Sequence, residues 1–242
     1  MKQKEPVECK PGDIQFFGLR RGGHHAVINW FQLHYKKCDY FTDCFLRENN
    51  KVENWPGHRF VYHNPKGKGE VRFLSFEDKL REPNPPFSAY SQLPHTKRFL
   101  IVRDAFNCFA SRLQRHRHPD YPNWKQWDTR LDVSLWLTFL KEYLGETNDL
   151  GAVPINYNFW CNDATYREKL ALEHIGHFTD EGRKVVAVIG GSSFDGLNYQ
   201  GKAEQMSVAD RWQQFTTDSE YAPLLENKEL VELCKLHFGL ML

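Results

Sequence analysis

The sequence predicts an α/β fold, a mostly parallel central sheet with helices on both faces, organised as a single domain over residues 1–242. Three observations carry that expectation. Apolar runs of strand length alternate with segments of helical periodicity, the order in which βαβ units are written. Two of those runs end in arginine-bearing turns that lead straight into helices. A chain of 242 residues can also bury one substantial core. In folds of this kind ligands bind beyond the C-terminal ends of the strands.

Taken in order, residues 14–18 (Ile-Gln-Phe-Phe-Gly) read as the first core strand, and residues 26–35 as a buried helix that starts near Gly23. Residues 36–56 are polar and read as irregular, with Glu48, Asn49 and Asn50 as a loop. Residues 59–63 suit a short strand, 64–69 (Asn-Pro-Lys-Gly-Lys-Gly) a turn, and 71–76 a strand. Pro83, Pro85 and Pro86 keep 81–87 out of helix and central strand. Residues 98–102 read as a buried strand. A helix follows from Asp104, with Phe106, Phe109, Ala110 and Leu113 as its core face at i, i+3, i+4 and i+7. Ser111 lies about 150° around that wheel, at ~100° per residue, which predicts a hydroxyl free for a ligand. Pro119 and Pro122 place 118–123 in a loop. Residues 132–144 form an amphipathic helix stopped by Gly145, 153–157 a strand, 163–175 a helix before Gly176, and 184–190 a strand-like apolar run. The Gly- and Ser-rich stretch 190–205 reads as an irregular active-site loop, and the chain from Ala209 on as mostly helical.

Between the first core strand and its helix stand Leu19-Arg20-Arg21-Gly22-Gly23-His24-His25. Strand, tight turn and helix are the parts of a phosphate-binding loop. Gly22 and Gly23 let the backbone turn so that successive N–H groups face an anion. The positive end of the helix dipole adds to the site, and Arg20 and Arg21 bring fixed charge. What the loop lacks narrows the chemistry. The pattern G-x-x-x-x-G-K-[ST] needs a lysine for the β and γ phosphates and a hydroxyl for Mg²⁺. Gly18 and Gly23 keep the glycine spacing, but His24 and His25 follow. A nucleotide whose reactive group transfers without a metal therefore fits better than ATP or GTP hydrolysis. A glycine-rich turn with no ligand is the plain alternative.

Arg103 ends the strand 98–102, and Ser111 follows eight residues later. A guanidinium fork and a hydroxyl converging on one anion make a phosphate site. The competing reading pairs Arg103 with Asp104 and leaves Ser111 in solvent. Arg112, Arg115, His116, Arg117 and His118 read as a solvated helix end, or as a further contact to a nucleotide or an acidic acceptor. His24, His25, His116 and His118 lack metal-ligand spacing, so no metal is expected.

Together the two segments resemble the family of PAPS-dependent sulfotransferases (PAPS is 3′-phosphoadenylyl sulfate). That family opens with a strand and a [KR]-S-G-T-T loop for the 5′-phosphosulfate. It later shows a strand, R-[DN]-P and a Ser eight residues past the Arg, for the 3′-phosphate. Here Arg21, Gly22, Gly23, His24 and His25 stand at the loop positions, and Arg103 and Ser111 at the 3′-phosphate pair. Residues 153–158 are similar to the family's later strand, with Tyr157 at its tyrosine. Ser192-Ser193-Phe194-Asp195-Gly196 and Arg211-Trp212 are similar to its C-terminal loop, whereas the R-K-G signature of its cytosolic branch is absent, with Gln200-Gly201-Lys202 only a faint counterpart. Both Thr hydroxyls are missing, so ring or backbone N–H groups of His24 and His25 stand in for them.

The resemblance implies a P-loop-NTPase-like sulfotransferase fold and an enzyme that moves a sulfuryl group from PAPS to a hydroxyl or amine without a metal, leaving adenosine 3′,5′-bisphosphate (PAP). It implies nucleotide contacts from Arg20, Arg21, Gly22, Gly23, His24, His25, Ala26, Arg103, Ser111, Tyr157, Ser193, Phe194, Gly201 and Lys202. Arg21, assisted by His25 and His24, would stabilise the leaving phosphate. The general base would follow the second core strand: Glu77 first, Asp78 second, with His63 in reserve. The acceptor, a small molecule or glycan, would sit among residues 31–56 and 83–90. A P-loop-type phosphotransferase and a non-catalytic nucleotide-binding protein are the alternatives. In the latter Glu77 pairs with Lys79 or Arg81 at the surface.

Composition bounds the rest. The net charge of +1 gives no global basic field for nucleic acid or an acidic membrane surface. Residues 1–12 are polar, which predicts no signal peptide, and no stretch nears the roughly 18 apolar residues of a membrane span. Six cysteines without C-x-x-C pairs predict reduced thiols in a cytoplasmic protein, with a Cys38–Cys44 bridge as the alternative.

Overall fold

A computed structural model describes residues 5–46, 51–54, 59–78, 86–95, 97–117, 131–180, 194 and 205–240. Its centre is a six-stranded sheet in the order β6-β3-β7-β2-β8-β9. The strands are β2 (Ile14–Gly18), β3 (Lys37–Phe41), β6 (Arg59–His63), β7 (Glu70–Glu77), β8 (Lys97–Val102) and β9 (Val153–Asn156). All run parallel except β6, which pairs antiparallel with β3 at the edge. A separate antiparallel sheet joins β1 (Glu5–Val7), β4 (Phe45–Leu46) and β5 (Val52–Asn54). The chain is thus α/β with a mixed, mostly parallel sheet.

Neighbouring residues of the central strands point to opposite faces, and both faces are covered, which is why these strands are apolar on consecutive positions. Phe16, Phe73, Phe99, Ile101 and Ile155 pack with α1 (His24–Gln32), α5 (Tyr157–Asn162) and α6 (Ala164–His174). Phe17, Leu74, Phe76, Leu100 and Val102 pack with α2 (Phe87–Ser91), α3 (Ala105–Arg117), α4 (Val133–Tyr143) and α8 (Lys228–Phe238). The core face assigned to α3, Phe106, Phe109, Ala110 and Leu113, is fully buried. Asp132 caps α4 by accepting from the Leu135 N–H, and Gly145 closes it with φ 76°. α7 (Ala222–Glu226) and a short 3-10 turn, Arg211–Phe215, complete the described C-terminal part.

Several expectations need correction. The stretch 36–56, read as irregular, contains β3, β4 and β5. β3 is an interior parallel strand, but only Cys38 and Tyr40 point inward from it, so it never shows an apolar run. Tyr157 opens α5 and is not part of the strand. Cys38 and Cys44 are free thiols, as are the other four cysteines. Ser111 is buried, because the 3-10 turn packs over its side of α3. Phe87, the last residue of the proline-rich stretch 81–87 that reads as non-helical, opens α2 with Pro86 as its N-cap, since proline's fixed φ is tolerated where a helix begins. Residues 81–85 of that stretch, the loop 118–123, the apolar run 184–190, and Ser193, Gly201 and Lys202 lie outside the described residues. Among the described residues no helix is long and apolar enough to cross a membrane.

Candidate functional site

β2 and β8 are adjacent parallel strands, so the turn after Gly18 and the residue after Val102 emerge side by side at one edge of the sheet. β7 flanks β2 on the other side and brings Glu77 opposite Gly18. Four of the residues singled out from the sequence, Arg21, Glu77, Arg103 and Ser111, therefore surround one spot. His63 does not join them. It pairs with Lys37, the first residue of β3, and so lies at the opposite end of the sheet. The antiparallel direction of β6 removes it as a base for this site.

The turn is held through two of its carbonyls, and its Gly22 N–H closes back on Leu19 O at 2.9 Å. Arg112 Nε donates to Arg20 O at 3.0 Å, and Arg103 Nη1 to Arg21 O at 3.1 Å. Asp78 secures the other side. Its N–H donates to Gly18 O at 3.1 Å, and its carboxylate accepts from the Arg20 N–H at 2.9 Å and from Arg112. These bonds make Asp78 a clamp on the turn. The carboxylate read as the second-choice base is thus engaged on the turn, with its side chain 3% exposed.

The left-handed residues of the turn are Arg21 (φ 68°) and Gly23 (φ 87°), in place of the expected Gly22–Gly23 pair. Gly22 is required for space: a Cβ there would come 2.8 Å from Leu19 O. Gly23 needs both its conformation and its bareness, since the Tyr157 ring lies against it. The same ring carries the Arg103 guanidinium, 5.3 Å from its centroid, and stacks on Trp160. Tyr157 thus touches both the turn and Arg103. α1 begins at His24 with no side-chain cap, so the opening N–H groups of the helix have no intrahelical partner.

Arg103 connects the two motifs. Its Nη1 reaches Arg21 O in the turn and Ser111 Oγ at 3.4 Å, and its Nη2 donates to Val208 O. Arg211 Nη1 donates to the same Ser111 hydroxyl at 3.2 Å. Asn107 fastens the Arg211 segment by donating to Ala209 O at 2.7 Å and accepting from the Trp212 N–H at 3.3 Å. Phe194 stacks on Arg211 at 4.7 Å. The competing pair, Arg103 with Asp104, is only 4.0 Å at its closest, and Asp104 spends its oxygens on Asn107 and Asn158.

The result is a crowd of cations. Burial lowers the pKa of Arg21 to about 10, and the positive charges of Arg211, Arg115 and Arg103 push the same way, against Glu77 alone. Arg21 Nε is buried without a hydrogen-bond partner among the described residues. An anion bound there would relieve both conditions. Arg211, which the sequence reads as part of a C-terminal loop, is brought in by the 3-10 turn, and Arg115, read as a solvated helix end or a further nucleotide contact, lies one helical turn beyond Ser111 on α3. Arg20 turns to Asp43, with its Nε 3.8 Å from Glu77 Oε2.

The two histidines divide their work. His24 is buried with its ring over Gly18, where a Cβ would come 2.6 Å from Nδ1. Burial, followed by His25, holds its pKa well below 6.5, so it is neutral. Its ring nitrogens have no partner among the described residues. His25 turns to the other side. Its Nε2 lies 3.0 Å from Glu77 Oε1, and its Nδ1 2.8 Å from Tyr40 Oη. Ala26 follows in α1, its N–H bonded to Gly23 O. Glu77 is no surface carboxylate: burial raises its pKa, His25 and Arg20 lower it, and Asp43 and Asp78 raise it.

Among the described residues no cluster of three His, Cys, Asp or Glu side chains has the arrangement of a metal site. No family model matches this sequence, and no curated protein matches it.

Proposed function

We propose that the protein is a nucleotide-binding enzyme of the sulfotransferase type, which transfers a sulfuryl group from PAPS to a hydroxyl or amine of a small-molecule or glycan acceptor. One observation carries the reading: Arg103 touches both the Arg21 carbonyl and Ser111, so the two anion-binding motifs share a wall at the same edge of the sheet. A ligand with two separated phosphates can engage both at once. The buried, partnerless Arg21 Nε and the surrounding arginines suit such a group. The missing Lys and Ser/Thr favour it over Mg-ATP. The free cysteines suit a reducing, cytoplasmic setting.

Arg21, the turn N–H groups and the start of α1 would hold the 5′ end of the nucleotide, and Arg103, Ser111 and Arg211 its 3′-phosphate. Tyr157, already layered on Arg103, would fix the spacing between them. When bound, PAPS supplies an activated sulfuryl group whose transfer releases PAP. Arg21 places fixed charge where negative charge develops, in a site where burial strengthens it. Glu77, at the end of the neighbouring strand, accepts the proton of the incoming hydroxyl or amine.

Thermal denaturation tests this. PAP without Mg²⁺ is expected to raise the melting temperature, since a ligand bound only by the folded state adds RT ln(1 + [L]/Kd) of stability. With PAPS and a panel of acceptors, Glu77→Gln is expected to lose most turnover and keep PAP binding. Stabilisation by Mg-ATP and none by PAP would favour a phosphotransferase and overturn the reading.

A further inference from the structure

Tyr40 lies on β3, in the stretch whose sequence reads as irregular, and is fully buried. Its hydroxyl meets His25 Nδ1 at 2.8 Å and also bonds Ser75. Across the ring, His25 Nε2 meets Glu77 Oε1 at 3.0 Å. An ionised carboxylate only accepts hydrogen bonds. Glu77, as the ionised base, therefore needs a hydrogen of His25 on Nε2, and a ring whose single hydrogen sits there presents Nδ1 as an acceptor. A phenol is a donor that can fill it. The three groups form a directional chain, Tyr40 O–H to His25 Nδ1 and His25 Nε2–H to Glu77 Oε1.

We propose that Tyr40 is a positioning residue. It fixes the Nε2–H tautomer of His25, which then holds Glu77 by one oxygen and leaves Oε2 to receive the acceptor's proton. This rests on the reading of Glu77 as the proton acceptor. The geometry supports a role beyond packing because Tyr40, His25 and Glu77 come from three different elements, β3, α1 and β7, and the His25 ring bridges the other two at 2.8 and 3.0 Å, while Ser75, also bonded to Tyr40, makes only a long 3.5 Å bond to Glu77 Oε1. The other charged groups around Glu77 are Arg20 and Arg21 of the turn, Asp43 after β3 and Asp78 after β7. His24, buried and neutral, is the neighbour of His25 on α1. Arg20 Nε stands 3.8 Å from Glu77 Oε2, near enough to steady a carboxylate and too far for a hydrogen bond that would occupy it.

The first test needs neither acceptor nor donor. Protein labelled with ¹⁵N-histidine reports the tautomer of each ring by NMR, and His25→Gln assigns the His25 signals. The wild type is expected to show Nε2–H with Nδ1 accepting, and Tyr40→Phe to lose that preference. Nδ1–H in the wild type, or a tautomer unchanged in Tyr40→Phe, would overturn the proposal. The second test follows release of sulfate from PAPS, with water as the acceptor. Tyr40→Phe is expected to lower kcat at least about tenfold with PAP affinity unchanged. The weaker hydrogen bond to Glu77 raises the pKa of that carboxyl, so the acid limb of the rate profile moves to higher pH. An unshifted limb with equal kcat would refute the catalytic consequence. Loss of PAP binding in the wild type would instead refute the sulfotransferase reading and leave the tautomer result standing.

Discussion

Asp78→Asn tests the claim that this carboxylate clamps the turn and is not a base. Asn keeps the volume and tolerates the left-handed backbone, where Asp78 has φ 48°. Its carbonyl oxygen can still accept from the Arg20 N–H, a bond of 2.9 Å. What disappears is the charge facing Arg112, whose side chain is 5% exposed. Removing one member of a buried ion pair costs about 3–5 kcal/mol, and the retained backbone bond puts this variant near ~3 kcal/mol. For a chain of this size that lowers the melting temperature by roughly 6–12 °C. Urea unfolding of Asp78→Asn, Arg112→Met and the double variant completes a cycle. The double variant is expected to cost less than the sum of the singles by about 1–3 kcal/mol. A single-variant cost under about 1 kcal/mol, or additive costs, would refute the clamp.

Gly23→Ala and Gly69→Ala separate conformation from space. Both residues have positive φ, 87° and 62°, but only at Gly23 would the new Cβ strike a neighbour, at 2.0 Å from Tyr157 Cε2. Gly69→Ala is expected to cost about 1 kcal/mol and Gly23→Ala about 3 kcal/mol or more in urea unfolding. Equal costs would show that Tyr157 is not wedged against the turn. A pH prediction follows from His24, whose folded-state pKa lies well below 6.5. The unfolded chain takes up a proton there as pH falls through about 6.5 while the folded protein resists, so stability drops from pH 7 toward pH 5. His34, lowered in the same direction by burial, adds to the drop. His24→Gln is expected to show a smaller loss over that range, and an unchanged slope would contradict the burial of a neutral ring.

The sequence was legible where one physical demand dominates. Strands covered on both faces must be apolar at consecutive positions, which exposed β2, β7, β8 and β9. The 3.6-residue repeat of Phe106, Phe109, Ala110 and Leu113 gave the correct face of α3. β3 escaped because its inward residues, Cys38 and Tyr40, alternate with polar ones, so an interior strand looked like a loop. With it went Tyr40, whose link to His25 depends on that strand. Arg20, Arg21, Arg103 and Ser111 were visible as chemistry at strand ends, but their partners were not. Arg112, Asp78 and Arg211 come from other elements, and only the fold brings them within hydrogen-bond reach. No local pattern distinguishes Asp78, the clamp, from Glu77, the proposed base. The difference lies in their partners, Arg112 and the Arg20 N–H for Asp78 and the His25 ring for Glu77.

Calorimetric titration in EDTA with PAP, adenosine 5′-monophosphate and adenosine 3′-monophosphate asks whether one nucleotide spans both arginine clusters. PAP is expected to bind at least about tenfold tighter than either monophosphate, since each lacks the group held by one cluster. Equal affinity for PAP and the 5′-monophosphate would mean that Arg103, Ser111 and Arg211 grip no phosphate.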